Sequence, residues 1–260
     1  MYKREETEKI VEIIKEAGKI AMSYFSQLKD HHISTKDDGT ILTIADREVD
    51  EYLRKELEGQ FPKYSVLSEE SPNNRETKSV FIVDPIDGTK NFAEGNSNFA
   101  ISIGLVINNE PTIGVVFAPA INTLYVGEVG GQSFCNDQII STTNKNSIDN
   151  IKIFLSSGVS KESIERHGKI MSLLEKHNAF IEKDFSCASL DLCRVADGSY
   201  DAFIHRGLAA WDIAGAIAIL QSAGSVVCHF NGSEKKLFDK NIIATNPLLK
   251  EKLIAITQDC

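Results

Sequence analysis

Ser79-Val80-Phe81-Ile82-Val83-Asp84-Pro85-Ile86-Asp87-Gly88-Thr89-Lys90-Asn91-Phe92 is the stretch on which the reading of the chain turns. Val80 to Val83 form an apolar run rich in β-branched residues, as expected of a strand buried on both faces. The run is expected to stop at Asp84, because Pro85 cannot donate to a continuing ladder. Asp84 and Asp87 then stand at the mouth of a buried strand. Gly88 can adopt conformations closed to other residues and lets a ligand approach the backbone. Thr89 adds a hydroxyl, and a helix opening there would offer unpaired N–H groups to an anion. Carboxylates repel phosphate, so acids beside an anion cradle make sense only with divalent cations between them. Hard cations such as magnesium take carboxylate, carbonyl and phosphate oxygens. Asp, Pro and Gly are also ordinary turn residues, but the whole run from Asp84 to Phe92 favours a cation site.

The chain has 260 residues, enough for one large domain or two closely joined ones. The polar stretch Asn144 to Asn150 marks the boundary, giving an α+β half over 1–145 and an α/β half over 146–260. A net charge of −9 without a basic block argues against a nucleic-acid groove, while a nucleotide substrate stays open. No apolar run reaches transmembrane length, and Met1-Tyr2-Lys3-Arg4-Glu5-Glu6 turns acidic too soon for a signal peptide. Cys135, Cys187, Cys193, Cys228 and Cys260 form no C-x-x-C pair and are odd in number. Reduced thiols in a cytoplasmic protein are the simplest reading. The histidines are scattered, and adjacent His31 and His32 lack helical ligand spacing, so no structural zinc site is expected.

Ile10, Ile13, Ile14, Ala17, Ile20, Ala21 and Tyr24 recur at helical steps and predict an amphipathic helix over Glu5 to Phe25. Lys36 to Thr40 reads as a turn before Ile41-Leu42-Thr43, and a second helix is expected over Asp46 to Glu58. Val66-Leu67 is a short strand, and the polar loop Ser71 to Lys78 leads into the opening stretch. Beyond Phe92 come strands over Ala100 to Ile107, Thr112 to Phe117, Leu124 to Val129 and Gln138 to Ile140, spaced as antiparallel neighbours. Strands are then expected at Ile151 to Leu155, Tyr200 to His205, Val226 to His229 and Ile242 to Ala244. Helices are expected over Ser160 to His177, Cys187 to Ala196, Ile213 to Ala223 and Pro247 to Ile256.

Three further acidic sites stand out. Glu69-Glu70 ends the short strand before Asp84; Asp212 follows the only tryptophan, at a helix N-terminus; Asp46 holds a similar place. Singly, Asp46 and Asp212 read equally well as helix caps. Together the segments resemble the inositol monophosphatase superfamily, the magnesium-dependent, lithium-sensitive phosphatases. The signature D-P-x-D-G-T-x-N-F is similar to Asp84 to Phe92, and W-D-x-A-x-x to Trp211-Asp212-Ile213-Ala214-Gly215-Ala216. The E-E pair is Glu69-Glu70, and L-T-x-x-D is Leu42-Thr43-Ile44-Ala45-Asp46. The resemblance continues through Gly114 to Pro119 and Ala188 to Cys193, in the right order along the whole chain.

That resemblance implies a five-layer αβαβα sandwich, as in the inositol monophosphatase and fructose-1,6-bisphosphatase fold, and a homodimer. It implies that Glu69, Asp84 and the Ile86 carbonyl hold one magnesium ion and that Asp84, Asp87 and Asp212 hold a second. Asp46 falls where the family places an acid associated with a third. Gly88 and Thr89 would bind phosphate through backbone N–H groups, and the Thr89 hydroxyl would orient water, with Glu70 in support. Asp87 and Asp212 would also border the substrate. The chemistry is two-metal hydrolysis of a small phosphate monoester, without a covalent nucleophile.

Departures from the pattern concern the substrate. Inositol-specific members often carry an acid seven residues before the second-signature aspartate, where this chain has His205. Lys90 and Ser68-Glu69-Glu70 are similar to the branch that removes the 3′-phosphate of adenosine 3′,5′-bisphosphate, while Asn91 and the span Ser186 to Asp212 are closer to the inositol branch. Inositol monophosphate therefore stands first. The alternatives are a 3′(2′),5′-bisphosphate nucleotidase and a histidinol-phosphate, fructose-1,6-bisphosphate or NADP phosphatase. A non-catalytic regulatory protein on the same scaffold, associated with RNA polymerase, is the alternative of a different class. Loops Ser156 to Ser160 and His205 to Ala210 are expected to face the leaving alcohol.

Overall fold

The computed structural model describes residues 4–29, 32–36, 39–71, 78–157, 161–183 and 187–258. Helix α1 (Glu5–Tyr24) buries Ile10, Ile13, Ile14, Ala17 and Ala21 along one stripe, as the spacing predicts. A hairpin of β1 (Ile33–Thr35) and β2 (Ile41–Thr43) follows, where only a polar approach and a turn were expected. Helix α2 (Ile44–Gln60) begins two residues before Asp46, because the capping pair is Thr43 with Asp46. The Thr43 backbone N–H donates to Asp46 Oδ2 at 2.8 Å, and the Thr43 hydroxyl lies 2.5 Å from the same oxygen.

The first sheet runs in chain order through β3 (Ser65–Ser68), β4 (Val80–Asp87), β5 (Ala100–Ile107), β6 (Glu110–Ala118), β7 (Thr123–Glu128), β8 (Ser133–Cys135) and β9 (Gln138–Ile140). Only the β3–β4 pair is parallel. The expectation that pairing ends at Asp84 is corrected: β4 continues through Pro85 to Asp87, and every residue of it is buried. Its ladder slips between the pairs Asp84–Ser102 and Asp87–Ala100, with Pro85 and Ile86 of β4 set against Ile101 of β5. Such a bulge absorbs the missing N–H of Pro85. It also matters for the acids, since regular alternation would send residues three apart to opposite faces. Gly88, at φ 86°, turns the chain into the short helix α3 (Thr89–Ala93). Phe92 anchors that turn, with no exposed surface and its ring edge-on to Phe99 at 4.8 Å. Burial of such a ring contributes roughly 1.5–3 kcal/mol.

The second sheet has the order β11 (Phe180–Glu182), β10 (Lys152–Ser157), β12 (Ala202–Arg206), β14 (Asn241–Thr245), β13 (Val226–Cys228). β10 is parallel to both β11 and β12, and the other pairs are antiparallel. Helices α5 (Ala188–Ala196) and α6 (Ala210–Ser222) lie between the two sheets. α1 and α2 cover the outer face of the first sheet, α4 (Lys161–Glu175) and α7 (Lys250–Thr257) that of the second. These are the five layers expected. No helix among the described residues is long and apolar enough to cross a membrane.

α6 is apolar all round because both of its faces are covered. It sinks onto the first sheet along a stripe of glycines in register, Gly104 opposite Gly114 and Gly114 opposite Gly127. A methyl group on Gly104 would meet the Ala214 backbone at 2.5 Å, and one on Gly114 would overlap the Gly215 carbonyl oxygen. Neither neighbour is a flexible side-chain end, so a Cβ there must push the helix off the sheet. Gly114→Ala is therefore expected to lower stability by roughly 2–3 kcal/mol. Gly59→Ala, in α2 with nothing within 4 Å, should raise it by about 0.5–1 kcal/mol. Urea-denaturation midpoints of the two variants check both signs.

Candidate active site

Strand β4 delivers Asp84 and Asp87 to its C-terminal end, the first 1% exposed and the second 8%. Each leans on a local donor. Asp84 Oδ1 accepts the Ile86 N–H at 3.1 Å. Asp87 Oδ2 accepts both the backbone N–H and the hydroxyl of Ser189 at 2.6 Å, with the Cys187 thiol at 3.5 Å. Asp212 reaches the same region from the first turn of α6, its Oδ2 accepting the Ala209 N–H at 2.7 Å. Asp46 does so from the first turn of α2. Both helix acids thus cap with one oxygen and keep the second, so capping and a role at the site do not compete. Asp46 spends its Oδ1 on the Thr89 hydroxyl at 3.2 Å, a proton the Ile86 carbonyl also accepts at 2.9 Å.

The charges act on one another. Burial pushes the Asp84 carboxyl well above the usual range, and the repulsion of Glu69, Asp87, Asp212 and Asp46 adds to it. Burial likewise raises Asp212 to about 8, with Asp87 and Glu69 adding to it. It raises Asp46 and Asp87 to about 6 against their hydrogen bonds to Thr43 and Ser189. Glu70 rises to about 7, again chiefly through burial. The five acids nominated as cation ligands are therefore within reach of one another's fields. Among the described residues no three such groups converge tightly enough to grip an ion as the side chains stand. The donor set is nonetheless all oxygen, buried and mutually repelling, which suits hard divalent cations.

Sequence reasoning missed three partners of these acids. Lys36, read only as part of a turn, places its ammonium 2.7 Å from both Glu69 and Glu70. Burial alone would lower its pKa, but the two carboxylates outweigh this and raise it. Ser189 was read within a helix and within the Ala188 to Cys193 stretch of the resemblance, and Cys187 within the same helix and as a reduced thiol, neither as a partner of Asp87. These three partners are set by contacts across the fold. Asp191, on α5, is buried and paired with Arg194 at 3.0 Å.

Beside Asp87 and Asp212 opens a cavity of about 210 Å³, walled by Phe154, Phe203 and Leu208 among others. His205 and Ser156, both expected to face the leaving alcohol, line it; residues 158–160, from the same expected loop as Ser156, lie outside the described residues. The His205 ring lies parallel to Phe203 at 6.0 Å, and its Nδ1 is buried without a hydrogen-bond partner. Among the described residues Cys135, Cys187, Cys193 and Cys228 are free thiols, and Cys260 lies outside them.

Burial, with help from His167, lowers the His205 imidazole to about 4, whereas the unfolded chain takes that proton near the ordinary value. The contribution of His205 to native stability is accordingly complete above pH 6.5 and is lost as pH falls toward 4. By pH 5 this amounts to about 2 kcal/mol. Urea midpoints of the wild type and His205→Gln, compared at pH 7 and pH 5, should show the larger fall in the wild type.

A family model described as the inositol monophosphatase family matches residues 3–260. Inositol monophosphatase 3 of Solanum lycopersicum is 33% identical over 253 residues, 94% of this chain and 93% of that protein. The fructose-1,6-bisphosphatase/inositol-1-monophosphatase of Thermotoga maritima is 30% identical over 251 residues, 96% of this chain and 94% of that protein. Among solved structures, that of a Thermotoga maritima IMPase superposes with a TM-score of 0.88 at 28% identity, covering 98% of each chain. With its acids gathered at the end of β4 and the match running nearly end to end, the chain belongs to the inositol monophosphatase family.

Proposed function

We propose that this protein is a magnesium-dependent phosphatase that hydrolyses a small phosphate monoester, with inositol monophosphate as the first candidate substrate. The observation that carries the reading is the cluster of Asp84, Asp87, Asp212, Glu69 and Asp46, whose Asp87 and Asp212 also line the cavity. Glu69, Asp84 and the Ile86 carbonyl would hold one cation, Asp84, Asp87 and Asp212 a second, with Asp46 near a third. Bound magnesium supplies the acidity of the attacking water and neutralises charge on the leaving oxygen. Lys36 holds Glu69 by one oxygen, its ammonium 2.7 Å from Oε1.

The chain's own groups set the geometry. The left-handed Gly88 brings the start of α3 close to where phosphate would lie, so that the N–H groups of Gly88 and Thr89 can face its oxygens. The Thr89 hydroxyl, between the Ile86 carbonyl and Asp46, is placed to accept a hydrogen bond from water and align it. Glu70, beside Glu69, supports that water. Attack of water oxygen on phosphorus breaks the bond to the alcohol oxygen, which takes a proton and leaves into the cavity, yielding inorganic phosphate. The retention of every acid favours catalysis over a purely regulatory role on the same scaffold.

Chelation should abolish phosphate release from inositol 1-phosphate, and added magnesium should restore it. Full turnover in a verified metal-free preparation would end the reading. Asp87→Asn and Asp212→Asn should each reduce kcat/KM by roughly three orders of magnitude or more. Asp191→Asn, paired with Arg194 rather than facing the cluster, should lose far less. Equal losses at Asp191 and Asp212 in folded variants would show that the ligands are misassigned.

A further inference from the structure

The charge lining the cavity goes beyond the phosphatase reading and, resting on it, limits the leaving alcohol. Four carboxylates border the space: Asp87 and Asp212 on the side of the cluster, Asp191 and Glu182 beyond them. No lysine or arginine lines it among the described residues. Arg194, bonded to the wall residue Asp191, is shared between it and Asn98 at 3.0 Å each. Among the described residues His205 is the only basic side chain on the wall, and burial keeps it uncharged at neutral pH.

Glu182 is built into this wall. It sits on β11 in register with Phe154 of β10, which is in register with Phe203 of β12, so the three form one cross-strand row. The Tyr200 hydroxyl donates to its Oε2 at 3.3 Å, and the Tyr200 ring stacks on Phe154 at 3.8 Å. Burial raises the Asp191 carboxyl to about 8 against its Arg194 partner, and Asp87 and, to the smallest extent, Glu182 add to it. A carboxylate accepts hydrogen bonds from hydroxyl groups and repels a phosphate, which needs cations or several N–H donors.

We propose that Glu182 is a specificity-determining residue, selecting an uncharged polyhydroxyl leaving group over one that carries a second phosphate. In the family pattern the hydroxyl-accepting acid comes from the position His205 occupies; here Glu182 supplies it from the edge strand β11, with β10 between it and the strand of His205. The prediction separates this chain from bisphosphatases on the same scaffold.

The test compares kcat/KM for inositol 1-phosphate and fructose 1,6-bisphosphate in the wild type, Glu182→Gln and Glu182→Lys, at fixed free magnesium. The wild type should favour the monophosphate at least tenfold. Glu182→Gln should move the ratio toward the bisphosphate by roughly fivefold, and Glu182→Lys further. The shift should shrink in 0.5 M salt, as a charge effect must. A merely structural role would weaken both esters alike, without ordering Gln before Lys and without salt dependence. Should Glu182→Lys fail to fold, the near-isosteric Glu182→Gln carries the test alone. A wild-type preference for the bisphosphate, or a ratio that no variant moves, overturns the proposal while leaving the phosphatase reading intact. Release from neither ester by the wild type would sink both.

Discussion

The seating of α6 in the glycine stripe of the first sheet is the contact on which the site depends. Gly104, Gly114 and Gly127 lie side by side on β5, β6 and β7, and together they remove the layer of side chains that normally separates a helix from a sheet. The helix backbone therefore rests nearly on the strands. That closeness sets where the first turn of α6 ends up, and with it Asp212. Ser102, the partner of Asp84 in the ladder, lies against Gly215, one turn from Asp212. A wider helix–sheet spacing would carry Asp212 away from Asp84 and weaken the field they share. Core packing and site geometry are here the same contact.

The site stores electrostatic strain that the fold must offset. Asp84 and Asp87 are buried, and their carboxyls are driven upward by burial and by neighbouring acids, Glu69 first among them. Each is held by a separate donor from a separate element: the Ile86 amide for Asp84, the N-terminus of α5 for Asp87, the Ala209 amide for Asp212, Thr43 for Asp46. Among the described residues Lys36 supplies the one positive charge bonded to the group, on the Glu69–Glu70 side. The bulge at Pro85 and the turn at Gly88 put Asp84 and Asp87 in place by backbone geometry.

The cavity continues the acidic lining, and among the described residues no lysine or arginine lines it. On the proposed reading, the cluster and the α3 turn would face one end of the ester, and Glu182, Asp191 and His205 the other. The wall is made by three strands of the second sheet, whose register aligns Glu182, Phe154 and Phe203. Small changes on these strands would retune the alcohol without touching the acids on β4.

The sequence by itself determined much of this protein: the layered α/β architecture, the main strands and helices, and the acids Asp46, Glu69, Glu70, Asp84, Asp87 and Asp212. These were legible because they rest on local order, namely helical and strand periodicity, punctuation by Pro85 and Gly88, and short motifs whose residues lie close in the chain. The bulge in β4, the strands β8 and β11, the glycine stripe and the contacts of Lys36, Ser189 and Glu182 were decided only by the tertiary structure. β8 and β11 have three residues each, too few to show a period, and their pairing comes from neighbours already in place. Ser189 meets Asp87 across 102 residues, and Lys36 meets Glu69 across 33. Such contacts leave no pattern in the linear chain, because the field and the donors that define them come from segments the fold alone brings together.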